Sequence, residues 1–187
     1  MRLFAERYRG LNNCRQDMAR CRIFLSVCFF CFVLTAVFAL SGCSQNNPPA
    51  IGDVLPKFTL PDLKGDKITV PDDFSSKVIV VRFWVDWCKS CAIEMPMIDN
   101  TYNKYKDRGL VVIAVNVGQQ KDVVEAFVRK LKISYPVALD TDSAVSKKYG
   151  VKAVPFTLII DRKGIVRKRI LGEAGSETIG KIIEDLL

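Results

Sequence analysis

The chain has 187 residues, of which 49% are hydrophobic and 26% charged, and its formal net charge is +8. This length allows one domain of ordinary size with a targeting segment attached. The chain contains no histidine, which excludes Cys–His and Ser–His catalytic dyads and covalent haem attachment through C-x-x-C-H.

The first 42 residues have the order of features that defines a secretory signal. Arg20 and Arg22 precede an uncharged stretch of 18 residues, 23–40, which small residues follow. Its end, Leu-Ser-Gly-Cys, resembles the lipobox of bacterial lipoproteins, which implies that Cys43 is acylated and becomes the N-terminus. The alternative is an uncleaved anchor, because the stretch is near the lower limit for spanning a bilayer. Met18 begins a compact basic segment and is an alternative start.

The positive charge is divided between the leader and the rest of the chain. Six arginines and two acidic residues give the first 42 residues +4, which leaves +4 for residues 43–187. This modest excess argues against a nucleic-acid partner. The basic cluster at Arg162–Arg169 is interpreted as a solvated hairpin edge, with contact to acidic lipid headgroups as the alternative.

The remainder reads as a short tether and one domain. Residues 43–50 are polar and proline-rich, as in a tether between an anchor and a domain, and residues 51–187 form the predicted domain. Two short alternating runs flank the turn at residues 62–65 and predict a β-hairpin. The β-branched run Val78–Trp84 predicts a strand covered on both faces.

Strands and helices then alternate to the end of the chain. A helix is predicted from Cys88 to about Lys106, with a kink at Pro96. The elements after it are a strand at 110–117, an amphipathic helix at 121–132, a strand at 135–140, a helix at 143–149 closed by Gly150, a hairpin at 156–171, and a helix from Ser176, its expected N-cap. This order implies a mixed sheet between helical layers.

Two cysteines remain for the domain. Four of the seven lie in the leader and Cys43 would carry lipid, so Cys88 and Cys91 are left, and an oxidising compartment would pair them. As a structural disulfide the pair would add little stability, because a disulfide that closes a four-residue loop contributes only about 2 kcal/mol to the free energy of unfolding. As a metal site it is half complete, since structural zinc needs four Cys or His ligands. We therefore predict neither a metal nor a cofactor.

The position of Cys88 and Cys91 at the start of a predicted helix supports a redox-active pair. A strand that leads Cys88 into the first turn of a helix places its sulfur beside unpaired backbone N–H groups and the positive end of the helix dipole. This favours the thiolate, which is the nucleophile. Cys91, one turn later, can then attack a mixed disulfide formed at Cys88. Trp84 and Trp87 are expected to pack around the pair, and Trp87 to meet a substrate.

The segments "FWVDWCKSC", "EMP" and "GVKAVPFTLIID" resemble the thioredoxin superfamily, and more narrowly its membrane-anchored TlpA/ResA-like thiol–disulfide oxidoreductases. The resemblance covers about residues 51–187. It implies an α/β thioredoxin fold, in which helices flank a mixed central sheet, with an N-terminal β-hairpin and a strand–helix insertion at about 110–139.

Individual residues take roles from this resemblance. Cys88 matches the attacking cysteine and Cys91 the resolving one. Pro155 matches the family's cis-proline, which faces the disulfide, and the backbone of Val154 would pair with an extended substrate segment. Glu94 matches a carboxylate near the active site that exchanges a proton with Cys91; the alternative is a glutamate on the helix surface.

Arg82 departs from the family pattern, because thioredoxins carry a buried aspartate six residues before the first cysteine. If Arg82 is buried, its charge needs a partner, for which Glu94 is the candidate, and it would stabilise a nearby thiolate. If its guanidinium reaches the surface, it has no such role.

The function implied is reduction of disulfides in exported proteins, with apocytochrome c as the family precedent and a transmembrane thiol carrier as electron donor. The protein would be a monomer, attached by its N-terminal lipid to the extracytoplasmic, periplasmic face of the cell envelope. Lys89 and Ser90 lack the histidine of strongly oxidising sites, which favours a reductant, although the charge of Lys89 stabilises a thiolate and argues mildly the other way.

Two other functions are considered. The opening "IGDVLPKFTLPDL" is shared with thiol peroxidases of the peroxiredoxin family, but their P-x-x-x-T-x-x-C motif requires Pro and Thr where Val81 and Val85 stand. The second is a non-catalytic binding domain with a fixed disulfide.

Overall fold

The computed structural model describes residues 48–187. The predicted signal segment, the lipidation site Cys43 and most of the predicted tether lie outside the described residues. The strands are β1 (Phe58–Pro61), β2 (Lys67–Val70), β3 (Val78–Trp84), β4 (Leu110–Val117), β5 (Val137–Asp140), β6 (Phe156–Ile160) and β7 (Val166–Leu171). The α-helices are α1 (Lys89–Tyr105), α2 (Lys121–Leu131), α3 (Ala144–Lys148) and α4 (Ser176–Leu186).

The central sheet is built around β3, whose seven residues are all buried. The strand order is β5-β4-β3-β6-β7. β4 runs parallel to β3 and β5 parallel to β4, whereas β6 is antiparallel to β3 and β7 to β6. β1 and β2 form the predicted hairpin. The mixed sheet, the hairpin and the inserted β4–α2 segment confirm the predicted thioredoxin fold.

The alternation of side chains along β3 divides the core into two layers. Val78, Val80 and Trp84 point into the layer that includes buried residues of α1, α2 and α4. The intervening Ile79 and Val81 point into the layer that contains the β1–β2 hairpin residues. Arg82 shares the parity of Val80 and Trp84, so β3 directs an arginine into the layer that holds α1.

Two local predictions need adjustment. α1 is one continuous helix from Lys89 to Tyr105 with Pro96 inside it, so the proline does not interrupt it. The predicted N-cap at Ser176 is wrong by one position, because α4 begins at Ser176 and Gly175 is its N-cap residue. None of the helices within residues 48–187 combines the length and apolarity needed to cross a membrane.

Candidate active site

Cys88 lies at the start of α1, shortly after the end of β3. Three residues separate Trp84 from Cys88, which has an extended backbone and is the N-cap residue of the helix. Its Sγ accepts a hydrogen bond from the backbone N–H of Cys91 at 3.2 Å. This N–H belongs to the first turn, where backbone donors have no partner within the helix. The sulfur therefore lies where the helix dipole and a directed donor both favour negative charge.

Cys88 and Cys91 are joined by a disulfide bond, with their Cα atoms 5.2 Å apart. Cys91 is 0% exposed and Cys88 is 7% exposed. The Oγ atom of Ser90 lies 3.6 Å from the Cys88 Sγ, so a second polar group borders that sulfur. Of the two sulfurs, that of Cys88 is the one that an incoming thiol or disulfide can reach.

A polar cluster that the sequence did not reveal fixes the turn before Cys88. The Gln119 Oε1 accepts from the backbone N–H of Asp86 at 2.9 Å and from the Asn116 Nδ2 at 2.8 Å. The Gln119 Nε2 donates to the Asp86 Oδ1 at 2.7 Å. These bonds join the active-site turn to the end of β4. The only sequence signal was Asn116, a polar residue within an otherwise apolar strand.

A buried ion pair joins β3 to α1, the helix that begins at Cys88. Arg82 is fully buried and Glu94 nearly so, and the Arg82 Nη2 donates to the Glu94 Oε2. The Arg82 Nη1 donates to the Thr157 Oγ1 on β6 at 2.9 Å. Of the alternatives considered for Arg82, the structure has the buried one, with Glu94 as the partner.

Glu94 also joins α1 to the segment that precedes α4. Its Oε1 accepts from the backbone N–H groups of Ala174 and Gly175, at 3.0 and 3.1 Å. Both carboxylate oxygens are thus occupied, and every contact has Glu94 as acceptor. The alternative of a surface helix glutamate is wrong. Because Glu94 lies three residues after Cys91, the two side chains share one face of α1.

Two of the three residues expected to meet a substrate, Trp87 and Val154, line one pocket, and Pro155 is not among its lining residues. Trp87 is 75% exposed, and it lines a pocket of about 380 Å³ with Val154 and other mainly apolar residues. Val154 also packs against the cluster that includes Cys88 and Cys91, and its bond to Pro155 is cis. None of the hydrogen bonds among the described residues uses the backbone N–H or C=O of Val154.

Trp84 belongs to the core rather than to the pocket. Its side chain is fully buried and stacks on Phe127 of α2, with the ring centroids 5.0 Å apart. The two tryptophans that flank the active-site turn thus differ in environment, one holding α2 against the sheet and the other facing solvent.

Comparison with known proteins identifies related chains. Residues 51–169 match the model of the AhpC/TSA family. The chain is 36% identical over 143 residues to the thiol–disulfide oxidoreductase ResA of Geobacillus kaustophilus, and 34% identical over 143 residues to ResA of Bacillus cereus; each alignment covers 76% of this chain and 82% of the relative. The thioredoxin domain of a thiol–disulfide oxidoreductase from Bacteroides vulgatus superposes with a TM-score of 0.66 at 25% identity, over 74% of this chain and 99% of that chain.

The burial of the Arg82–Glu94 ion pair leads to a prediction about the free energy of unfolding. Arg82→Met leaves the Glu94 carboxylate buried without its counter-charge, so we expect the free energy of unfolding, measured by urea denaturation of the oxidised protein, to fall by about 3–5 kcal/mol. The double variant Arg82→Met/Glu94→Gln removes both charges and keeps an amide oxygen for the two backbone donors. We expect it to recover most of the loss.

A matched control is the ion pair Lys57–Asp72, whose side chains are 61% and 52% exposed. Lys57→Met should change the free energy of unfolding far less than Arg82→Met does, because an exposed ion pair contributes little to stability. Equal losses in Arg82→Met and in the double variant would mean that neutralising Glu94 is not what Arg82 contributes.

Proposed function

The chain belongs to the AhpC/TSA family and, within it, to the ResA thiol–disulfide oxidoreductases, and from this premise we propose that it reduces disulfides in exported proteins through Cys88 and Cys91. The observation that carries the proposal is the placement of these two sulfurs within bonding distance at the amino end of α1. Cys88 accepts a helix N–H and borders solvent, whereas Cys91 is enclosed. This asymmetry suits a first sulfur that attacks a client and a second that releases it.

The proposed reaction is a two-electron exchange. In the reduced enzyme, the Cys88 thiolate attacks one sulfur of a client disulfide, forms a mixed disulfide and expels the other client sulfur as a thiolate. The thiolate of Cys91 then attacks the Cys88 Sγ, forms the intramolecular disulfide and expels the second client thiolate. The client gains two electrons and leaves as two thiolates, which take up protons from the solvent, and the enzyme is left oxidised. A transmembrane thiol carrier would return the electrons.

Glu94 is proposed to accept the proton that Cys91 must lose before the second attack. Its position one turn from Cys91 supports this role. The Arg82 guanidinium adds positive charge to the same buried region, where it would stabilise a neighbouring thiolate.

Client binding is proposed at the pocket of Trp87 and Val154. An extended client segment would pair with the unoccupied backbone groups of Val154, as a strand added to an edge, opposite the cis-linked Pro155. Trp87 would cover apolar side chains that flank the client disulfide. Such a site recognises an extended backbone more than a particular sequence, because main-chain hydrogen bonds supply most of its polar contacts.

The domain is proposed to work as a monomer on the extracytoplasmic, periplasmic face of the membrane. Residues 1–42 would be a lipoprotein-type signal peptide, residues 43–50 a tether that begins at the acylated Cys43, and residues 51–187 the thioredoxin-like domain. A disulfide within the domain suits such an oxidising compartment. Apocytochrome c, whose cysteines must be reduced before haem is attached, is the proposed client class.

The proposed roles of the cysteines predict two different defects. Cys88→Ser removes the attacking sulfur, and we expect insulin reduction in a turbidity assay to fall to the uncatalysed rate. Cys91→Ala retains the Cys88 sulfur that attacks insulin but lacks the sulfur that releases it. The variant should therefore accumulate a mixed disulfide with insulin, which non-reducing gel electrophoresis detects.

Two further measurements separate the alternatives. Trp87→Ala in the Cys91→Ala background should slow trapping of insulin and leave the reaction with a small aromatic disulfide unchanged, because only the protein client uses the pocket. Insulin reduction that survives Cys88→Ser would contradict the proposal, and rapid peroxide consumption by the wild type would favour a thiol peroxidase.

The role of Glu94 predicts a specific kinetic defect. Glu94→Gln cannot accept a proton, so we expect release of client from the mixed disulfide to slow by about 100-fold, while formation of the mixed disulfide is unchanged. Stopped-flow measurement of the two phases checks this. Glu94→Gln leaves the buried Arg82 without a counter-charge, and the double variant Arg82→Met/Glu94→Gln controls for this effect. Release of client at the normal rate in both the single and the double variant would rule out the proton-acceptor role.

The direction of electron flow predicts a reduction potential. A reductant requires the Cys88–Cys91 couple to lie well below about −200 mV, against about −120 mV for a strong oxidant. Equilibration with glutathione or dithiothreitol buffers, followed by thiol alkylation and mass measurement, gives the value. A potential close to that of the strong oxidant would reverse the proposed direction.

A further inference from the structure

The turn that leads to the disulfide is held from outside by one side-chain amide. The Gln119 Oε1 accepts from the backbone N–H of Asp86 at 2.9 Å, and the Gln119 Nε2 donates to the Asp86 Oδ1 at 2.7 Å. A carboxamide carries an acceptor and a donor side by side, which a carboxylate does not, so Gln119 satisfies both groups of Asp86 at once. We call these two bonds the amide clamp.

The Gln119 end of the amide clamp is itself well supported. The backbone N–H of Gly118 donates to a carbonyl of β5 at 2.9 Å, and the Nδ2 of the fully buried Asn116 donates to the Gln119 Oε1 at 2.8 Å. α2 begins two residues after Gln119, and its Phe127 stacks on Trp84. Gln119 therefore lies between the sheet and a packed helix, and the amide clamp joins the turn to both.

The other end of the amide clamp lies between two residues that line the proposed client pocket. Asp86 stands between Val85 and Trp87, and both of these neighbours line the pocket. The N–H that Gln119 binds belongs to the peptide bond between Val85 and Asp86. Val117, two residues before Gln119, lines the same pocket from β4. The amide clamp therefore joins two parts of the pocket lining that are distant in sequence.

The direction of the Trp87 side chain depends on the backbone of the turn. The side chain is 75% exposed, and none of the aromatic ring pairs within residues 48–187 includes it. Inside the turn, the Cys88 N–H donates to the Val85 carbonyl at 3.3 Å, which is long for such a bond. The two shorter bonds of the amide clamp hold the residue directly before Trp87, so they fix the backbone that directs the indole.

The attacking sulfur has a support of its own. Cys88 is the N-cap residue of α1, and its Sγ accepts from the backbone N–H of Cys91 at 3.2 Å. This contact lies within the start of α1 and does not involve Gln119. Loss of the amide clamp should therefore change the pocket wall at Trp87 and leave the Cys88 sulfur in place.

We propose that Gln119 is a positioning residue for client binding, which holds Trp87 in the wall of the client pocket through its hydrogen bonds to Asp86. This inference rests on the proposed disulfide reduction and on the proposed client pocket. Gln119 itself does not contact the client. Its loss should weaken the binding of a protein client and leave the reactivity of Cys88 unchanged, because a small disulfide reaches Cys88 without using the pocket.

The test exchanges the two ends of the amide clamp. Gln119→Glu sets a second carboxylate against that of Asp86, so the donor of one bond is lost and two like charges face each other. Asp86→Asn alone keeps an oxygen that accepts from the Gln119 Nε2. The double variant Asp86→Asn/Gln119→Glu restores a donor and an acceptor in reversed order and has the net charge of the wild type. Gln120→Glu is the matched control, because Gln120 is exposed and makes no side-chain capping bond.

Each substitution is made in the Cys91→Ala background, in which the reaction stops at the mixed disulfide. The rate of mixed-disulfide formation over a range of insulin concentrations gives a half-saturating concentration and a limiting rate. For Gln119→Glu we expect the half-saturating concentration to rise by about tenfold, as for one lost hydrogen bond to a charged group, with the limiting rate unchanged. Its rate with a small aromatic disulfide should equal that of the parent. Asp86→Asn, the double variant and Gln120→Glu should all behave as the parent.

A second measurement addresses Trp87 directly. Of the two tryptophans in the chain, Trp84 is buried and Trp87 exposed, so the fast decay of tryptophan fluorescence anisotropy reports motion of Trp87, and Trp87→Phe measures the background. Gln119→Glu should increase the amplitude of this decay, and the double variant should restore it. Where urea denaturation shows Gln119→Glu to be unfolded, Gln119→Met takes its place, since it removes both bonds without adding charge.

Three results would overturn the inference. The first is a half-saturating insulin concentration that does not change in Gln119→Glu. The second is an equal loss of rate with insulin and with the small disulfide, because the amide clamp would then act on Cys88 and not on the pocket. The third is a defect that the double variant retains or that Gln120→Glu shares, because charge or misfolding would then be the cause.

The proposed function is tested separately, by insulin reduction in the wild type and in Cys88→Ser. Reduction that depends on Cys88, together with normal insulin binding by Gln119→Glu, would reject only the role of Gln119. A wild type that does not reduce insulin would reject the proposed function and this inference with it.

Discussion

Two opposite charges are buried together between the central sheet and α1, and they tie the active-site helix to the rest of the domain. Arg82 comes from β3, and its guanidinium reaches both Glu94 on α1 and Thr157 on β6. Glu94 in turn accepts the two backbone N–H groups that precede α4. A charge in this layer is tolerated only when it is paired and hydrogen-bonded. The positions of α1, β6 and α4 around the cysteines therefore depend on one another through this pair.

The amino end of α1 shapes the electrostatics of the disulfide. Cys88 gains stabilisation of its thiolate from the helix amino end and the Cys91 N–H. Arg82 adds a buried positive charge that is paired with Glu94 on the same helix. The carboxylate that would serve proton exchange is thus held next to a permanent cation, which connects the acid–base chemistry of Cys91 to the packing of the core.

The pocket beside Trp87 and the first described residues of the chain meet at one loop. Gly150 ends the turn after α3, and the next four residues line the pocket. Pro48 packs on Gly150, so the first described residues contact the position that precedes this lining segment.

Local patterns in the sequence determined the main strands of this protein and the placement of its two cysteines. The β-branched runs at Val78–Trp84 and Leu110–Val117 predicted two strands with correct bounds, since an apolar run of that length needs cover on both faces. The C-x-x-C spacing brought Cys88 and Cys91 within one helical turn, because helix geometry is local. The tertiary structure decided what depends on pairing distant segments: burial of Arg82 against Glu94, the polar cluster around Gln119, and the contact of Pro48 with Gly150. Strand alternation placed Arg82 on one face of β3, but only the packing of α1 and α4 over that face enclosed the charge and supplied its partner.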